Sequence, residues 1–145
     1  MMRLLRQVRF PKGGFMSRYA LTRKLDCGYD EAVEKAKAAL EREGFGILSE
    51  IRADDIFRKN LNKNFRRYLI LGACDPGSAY KALTIESDVG LMLPCNVIIY
   101  ENDEDGSTVA AADPTIAMSM IENPAVALVA KEVKEKMEKV IGGLR

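Results

Sequence analysis

A chain of 145 residues with 22 basic and 21 acidic side chains, net charge +1, has no overall field to gather nucleic acid, anionic lipid or acidic substrates from a distance. The length predicts one domain with a real core, and the three cysteines, odd in number and without a C-x-x-C pair, argue against a disulfide framework and for a reducing cytoplasm. The lack of histidine removes the common general base, the Ser-His and Cys-His nucleophile pairs and histidine-ligated haem.

Residues 1–15 begin with basic residues but carry only scattered apolar ones, with no signal-peptide core; Met16 reads as an alternative start. The expected layout is a leader or extension over residues 1–15 and a single α+β domain over residues 16–145. No apolar run is long enough to span a membrane, so a soluble protein without a membrane partner is expected.

Ser17 to Lys24 suits a first strand, ended by Asp26-Cys27-Gly28. A helix follows from Tyr29 to Glu43, capped by Gly28, with Val33, Ala36 and Leu40 on one face and Gly44 as its stop. Phe45 to Ile51 alternates, with Phe45, Ile47, Ser49 and Ile51 on one side of a second strand. The charged stretch Arg52 to Lys63 reads as a short helix. Tyr68 to Cys74 is apolar on both faces and predicts a central strand covered above and below.

Asp75-Pro76 supplies an N-cap and an N1 proline for a helix to about Glu86, with Ala79, Ala82 and Leu83 inward. Asp113-Pro114 and Asn123-Pro124 repeat the device. Cys95 to Tyr100 and Thr108 to Ala112 form a hairpin around the acidic loop, whose Asp105-Gly106 pair is a turn signal. The last helix, Pro124 to about Ile141, presents Val126, Val129, Val133, Met137 and Val140 as one stripe. The order predicts a two-layer α+β fold, a mainly antiparallel five-stranded sheet under two long helices, with short helices inserted. Strands apolar on both faces also predict a homodimer, or short helices, as cover for the second face.

Tyr29-Asp-Glu-Ala-Val33, Glu43-Gly-Phe-Gly46, Tyr68-Leu-Ile-Leu-Gly-Ala-Cys-Asp-Pro76, Gly90-Leu-Met-Leu-Pro-Cys-Asn-Val97 and Asp113-Pro114 together resemble domain-of-unknown-function family 302, found in bacteria and archaea. The resemblance spans about Met16 to Val140. It implies a β-α-β4-α arrangement of the TATA-binding-protein-like kind, an often dimeric cytosolic protein and no established reaction. Asp75 stands where that family often has Asn, and Gly28 where it often has Ser.

The residues offering chemistry cluster around the second and third thiols. Cys74 precedes a helix start, whose positive end lowers thiol pKa, while the adjacent Asp75 carboxylate opposes that effect. Cys95 follows Pro94, which marks a bulge or strand edge where a side chain is aimed. The expected ligand site is Cys74, Asp75, Pro94, Cys95 and Asn96, with Arg67 and Tyr68 at the far end of the same strand. Its expected use is small-ligand or thiol-based binding or sensing, with no catalytic residue and no cofactor. The competing readings are a non-catalytic homodimeric interaction module with buried inert cysteines, and an enzyme working through carboxylates.

A structural metal is not expected, because Cys74, Cys95, Asp75 and Cys27 are a thin donor set for a four-coordinate soft site. Arg58, Lys59, Lys63, Arg66 and Arg67, interleaved with Phe57, Phe65 and Tyr68, form the one basic-aromatic cluster, read as a solvated face with no nucleic-acid partner. The acidic loop lacks the spaced ligands of a calcium loop, and the glycines match no phosphate-binding motif.

Overall fold

The structure is a computed structural model that describes residues 17–145; the expected leader lies outside the described residues. Five strands, β1 (Ala20–Leu25), β2 (Gly46–Arg52), β3 (Tyr68–Cys74), β4 (Cys95–Glu101) and β5 (Ser107–Ala112), form one sheet in the order β1-β5-β4-β3-β2. All neighbours are antiparallel. The helices are α1 (Tyr29–Arg42), α2 (Ala53–Leu61), α3 (Pro76–Ile85), α4 (Pro114–Ala117) and α5 (Pro124–Gly142), with a 3₁₀ turn at Ser87–Met92. The expected two-layer α+β fold with its short inserted helices is the fold observed.

Register explains the core. Leu69 lies opposite Ile99 and Ile99 opposite Val109, while Leu71 faces Val97 and Val97 faces Ala111. These six side chains lie on one face and are all buried. Over them lie Ala32, Val33, Ala36 and Leu40 of α1 and Val126, Val129, Val133, Met137 and Val140 of α5. Each fully buried Val, Leu or Ile contributes about 1.5–3 kcal/mol relative to exposure, so this double layer is the main source of stability.

The second face carries a cross-strand row of Ile51, Ile70, Ile98 and Ala110. Ile51 remains 44% exposed, and Ile70 and Ile98 are half-buried. The second strand departs from simple alternation, because the register shifts between Ile47 and Ser49. Ile47 therefore pairs with Ala73 toward the core, whereas Ile51 pairs with Ile70 on the other face. One inserted residue reverses the side-chain direction along the rest of a strand, which sequence alternation does not reveal. On α3, Ala82 is buried as expected, but Leu83 is 42% exposed.

The β4–β5 hairpin forms, though not as a two-residue Asp-Gly turn. Asn102 Oδ1 accepts from the backbone N–H groups of Glu104 and Gly106, each at 3.0 Å, organising a longer loop in which Asp105 has φ +61°. Gly106 is required by proximity: a Cβ there would stand 2.2 Å from the Leu25 carbonyl oxygen.

Candidate functional site

Cys74 ends β3, Asp75 caps α3, and a cis Leu93-Pro94 bond leads into Cys95 at the start of β4. Cys95 is paired with Ala73, which is fully buried, so its side chain points to the helix-covered face. There, a hollow lies between the ends of β3 and β4 and helices α3, α4 and α5. Its walls are Ala73, Cys74, Asp75 and Cys95 from the strand ends, Ser78, Ala79 and Ala82 from α3, Leu93, then Pro114 and Met118 at α4, and Val129, Ala130 and Val133 from α5. The space inside it is about 20 Å³. One water needs roughly 10–15 Å³ by the same measure, so the hollow as it stands admits one or two small bodies.

Asp75 is the charged residue of the wall, and it is already engaged. Its carboxylate accepts from the Ser78 hydroxyl at 2.9 Å and from the Lys136 ammonium of α5 at 2.6 Å. Partial burial pushes the carboxyl up, but the hydrogen bonds from Lys136 and Ser78 outweigh it and leave the group below its ordinary value. Asp113 repeats the arrangement at the cap of α4, accepting from the Thr115 backbone N–H at 2.9 Å and pairing with Lys134 at 2.9 Å. Two lysines of one long helix thus hold the Asp-Pro starts of two short ones, and this fixes both walls of the hollow.

Both thiols are pushed up rather than down. Burial raises Cys74, and the Asp75 carboxylate adds to it. Burial drives Cys95 to about 11, helped by charge at Cys74 and Asp75. The positive end of α3 does not prevail, because desolvation and an adjacent carboxylate oppose the thiolate. Near neutral pH both sulfurs keep their protons, which disfavours a ready nucleophile. Cys27 is free and half-buried, its carbonyl accepting from Ser107 Oγ at 3.0 Å, and it has no part in the wall.

The other sequence candidates lie elsewhere. The Pro94 ring sits toward Gly72, where a Cβ would meet Pro94 Cγ at 2.9 Å and Ser49 Oγ at 2.3 Å. Asn96 is exposed and paired with Gly72, so it belongs to the face opposite Cys95. Arg67 and Tyr68 stand at the far end of β3. Arg67 lies 4.2 Å over the Tyr29 ring and pairs with Asp30, while Tyr68 stacks on Tyr100 with centroids 5.4 Å apart. In the basic-aromatic cluster, Arg58 and Lys59 pair with Asp55, and Arg66 pairs with Asp103 at 2.7 Å. Those partners take up charge that a phosphate backbone would need.

Sequence reasoning missed Ser78, Met118 and Lys136. Ser78 followed from the cap, since an Asp at the N-cap with Ser three residues on is a local pairing. Lys136 and Met118 had no such signal, because contacts between distant parts of the chain, such as that of Lys136 with Asp75 across 61 residues, carry no pattern. Among the described residues, no three His, Cys, Asp or Glu side chains gather to hold a metal, and no helix is long and apolar enough to cross a membrane.

Comparison with solved structures finds a crystal structure of an uncharacterized conserved DUF302 protein from Bacillus stearothermophilus, 22% identical, matching 89% of this chain and 100% of that one with a TM-score of 0.82. At that identity the likeness shows the fold. No curated protein matches the chain. The model of the family described as domain of unknown function DUF302 matches residues 21–144, nearly the whole described chain, and the protein therefore belongs to that family.

Proposed function

We propose that the domain is a binding protein whose site is the hollow at the end of β3 and β4, with Cys74 and Cys95 as soft, protonated polar walls and no turnover. The observation that supports it is a small, mainly apolar space whose wall includes Cys95 and the strand-end residue Cys74, while the adjacent carboxylate is neutralised by Lys136. A carboxylate already held by an ammonium is a poor general base, which weighs against carboxylate catalysis. In this reading Cys74, Asp75 and Cys95 form the site; Pro94 and Asn96 shape the strand end from the other face, and Arg67 and Tyr68 serve packing. The three free thiols suit a reducing cytoplasm.

Xenon is a suitable probe, since it is apolar, polarisable and enters small dry cavities. Under xenon pressure, NMR shifts should concentrate at the methyls of Ala79, Ala82, Val129 and Val133. Absence of any localised shift there means that the hollow is a sealed packing fault, and the binding reading fails.

A second reading, homodimerisation through the other face of the sheet, is favoured by the Ile51, Ile70, Ile98 row and by Leu48, 69% exposed on edge strand β2. Light scattering at micromolar concentration should report a dimer that Ile51→Lys splits. A monomeric parent protein rejects it.

A further inference from the structure

We propose that two copies of the chain pack through the second face of the sheet with their strands antiparallel, so that Tyr68 and Tyr100 of each copy lie against the partner's Gly72 and the partner's Asn96. This rests on the homodimer reading above and adds the arrangement of the pair.

That face is graded from one end to the other. On its central strands, cross-strand pairing sets Tyr68 beside Tyr100 at one end, Ile70 beside Ile98 in the middle and Gly72 beside Asn96 at the other end. The tyrosine rings lie 5.4 Å apart and 5° from parallel, so together they form one ridge. The glycine end is low. Gly72 has no side chain, and the Pro94 ring and Ser49 Oγ close over it as a floor. Asn96 beside it is exposed. Among the described strand residues, Lys24 is the one charged side chain on this face, and it is paired with Glu104 at 3.0 Å. A nucleic acid or a charged peptide finds no counter-charge there, whereas a second copy brings an equally neutral surface.

Five strands of six or seven residues give the face a footprint of about 20 Å by about 24 Å. Two such faces bury about 1,000 Å² in all, where specific interfaces begin, so fit rather than area must select the arrangement. A twofold pair brings the face against itself, with the axis lying in the plane of contact. Aligned packing of the sheets leaves two choices, an axis along the strands or one across them. An axis along the strands sets ridge on ridge and floor on floor. The sheets are then held apart at one end and leave a void at the other, which close packing disfavours. An axis across the strands, through the isoleucine row, turns each strand end for end. Tyr100 then meets the partner's Asn96, because the two positions lie equally far from Ile98 on either side, and Tyr68 meets the partner's Gly72 about Ile70 in the same way. Ridge fills floor at both ends.

The test uses the whole chain, in dimers mixed from isotope-labelled and unlabelled copies. Isotope-filtered NOEs should join the Tyr100 ring to the partner's Asn96 side-chain amide, and none should join one Tyr100 ring to the other. Asn96→Phe should weaken the dimer about tenfold, since it sets a second ring where the partner's ring already lies. Combining Asn96→Phe with Tyr100→Ala exchanges ridge and floor within each copy, and should return the affinity to within about threefold of the parent. Circular dichroism of each variant separates lost pairing from lost fold, and the NOEs on the parent need no variant. Filtered NOEs between the Tyr100 rings, or an Asn96→Phe that tightens the dimer, overturn this arrangement and leave the homodimer reading standing. A dimer that Ile51→Lys fails to split is built on another surface, and both fall. A monomeric parent also removes both; if deletion of residues 1–15 then makes it dimerise, the face belongs to that segment instead.

Discussion

The two ends of β3 are made from similar materials and come out differently. At the Tyr68 end, the Tyr68 backbone N–H donates to Asp54 Oδ1 at 3.1 Å, and Tyr68 stacks on Tyr100. Phe57 meets Phe65 edge-on at 5.2 Å, and the guanidinium of Arg66, a residue 8% exposed, donates to the Glu101 carbonyl at 2.8 Å. Rings and ion pairs fill that end. At the Cys74 end the strand hands over at once to Asp75-Pro76, and the small side chains of Ala73, Ala79 and Ala82 leave a gap that α5 bridges without filling. The difference teaches that partnered charge is no mark of function, since both ends have it. What distinguishes the Cys74 end is unfilled volume next to sulfur.

Truncation should separate the ends most. Leu69→Ala, in the filled core toward the Tyr68 end, should cost about 3–4 kcal/mol in urea unfolding, as large core deletions do. Leu93→Ala, on the half-open wall beside the hollow, should cost only about 1–2 kcal/mol because less contact is lost. Equal losses would mean that the hollow end is packed as tightly as the other.

Addition gives the converse at smaller scale. Gly72→Ala places a methyl against Pro94 Cγ and Ser49 Oγ and should cost about 1–3 kcal/mol. Ala82→Val places its extra carbons beside the hollow and should fall within about 1 kcal/mol of the parent. If Ala82→Val also abolishes the xenon shifts, the gap has been filled where the structure puts it.

The smallest effect tests the charge at the rim. Asp75 has a folded value below its ordinary 3.8, so its pairing stabilises the protein fully above that pH and is lost as pH falls through the lower folded value. Lys136→Met should therefore reduce stability by about 0.5–1 kcal/mol near neutral pH, since the lysine is 43% exposed and screened. The gap between variant and parent should close on acidification below that range. A gap independent of pH would assign Lys136 to packing alone.

Much of this was legible beforehand, and for identifiable reasons. Asp75-Pro76, Asp113-Pro114 and Asn123-Pro124 each mark a helix start in the structure, because capping and the fixed proline φ are local physics. The α5 stripe, Val126 to Val140, is buried as its spacing demands. Asn96 and Cys95 stand on opposite faces because adjacent strand residues alternate, which closeness in sequence obscures. Ile51 leaves the side of Ile47 that simple alternation predicts, since nothing in Ile47-Leu48-Ser49 announces the bulge.

By itself, the sequence determined the elements, their layer and the inward stripe of each long helix, all set by interactions within a few residues. Only the tertiary structure decided which side chains share the space beside Cys95. Met118 and Val133 reach it, and Lys136 reaches the Asp75 carboxylate of its wall, from helices far along the chain, and their meeting depends on how α4 and α5 settle on the sheet. That settling is a sum of many non-local contacts, to which no short pattern of residues corresponds.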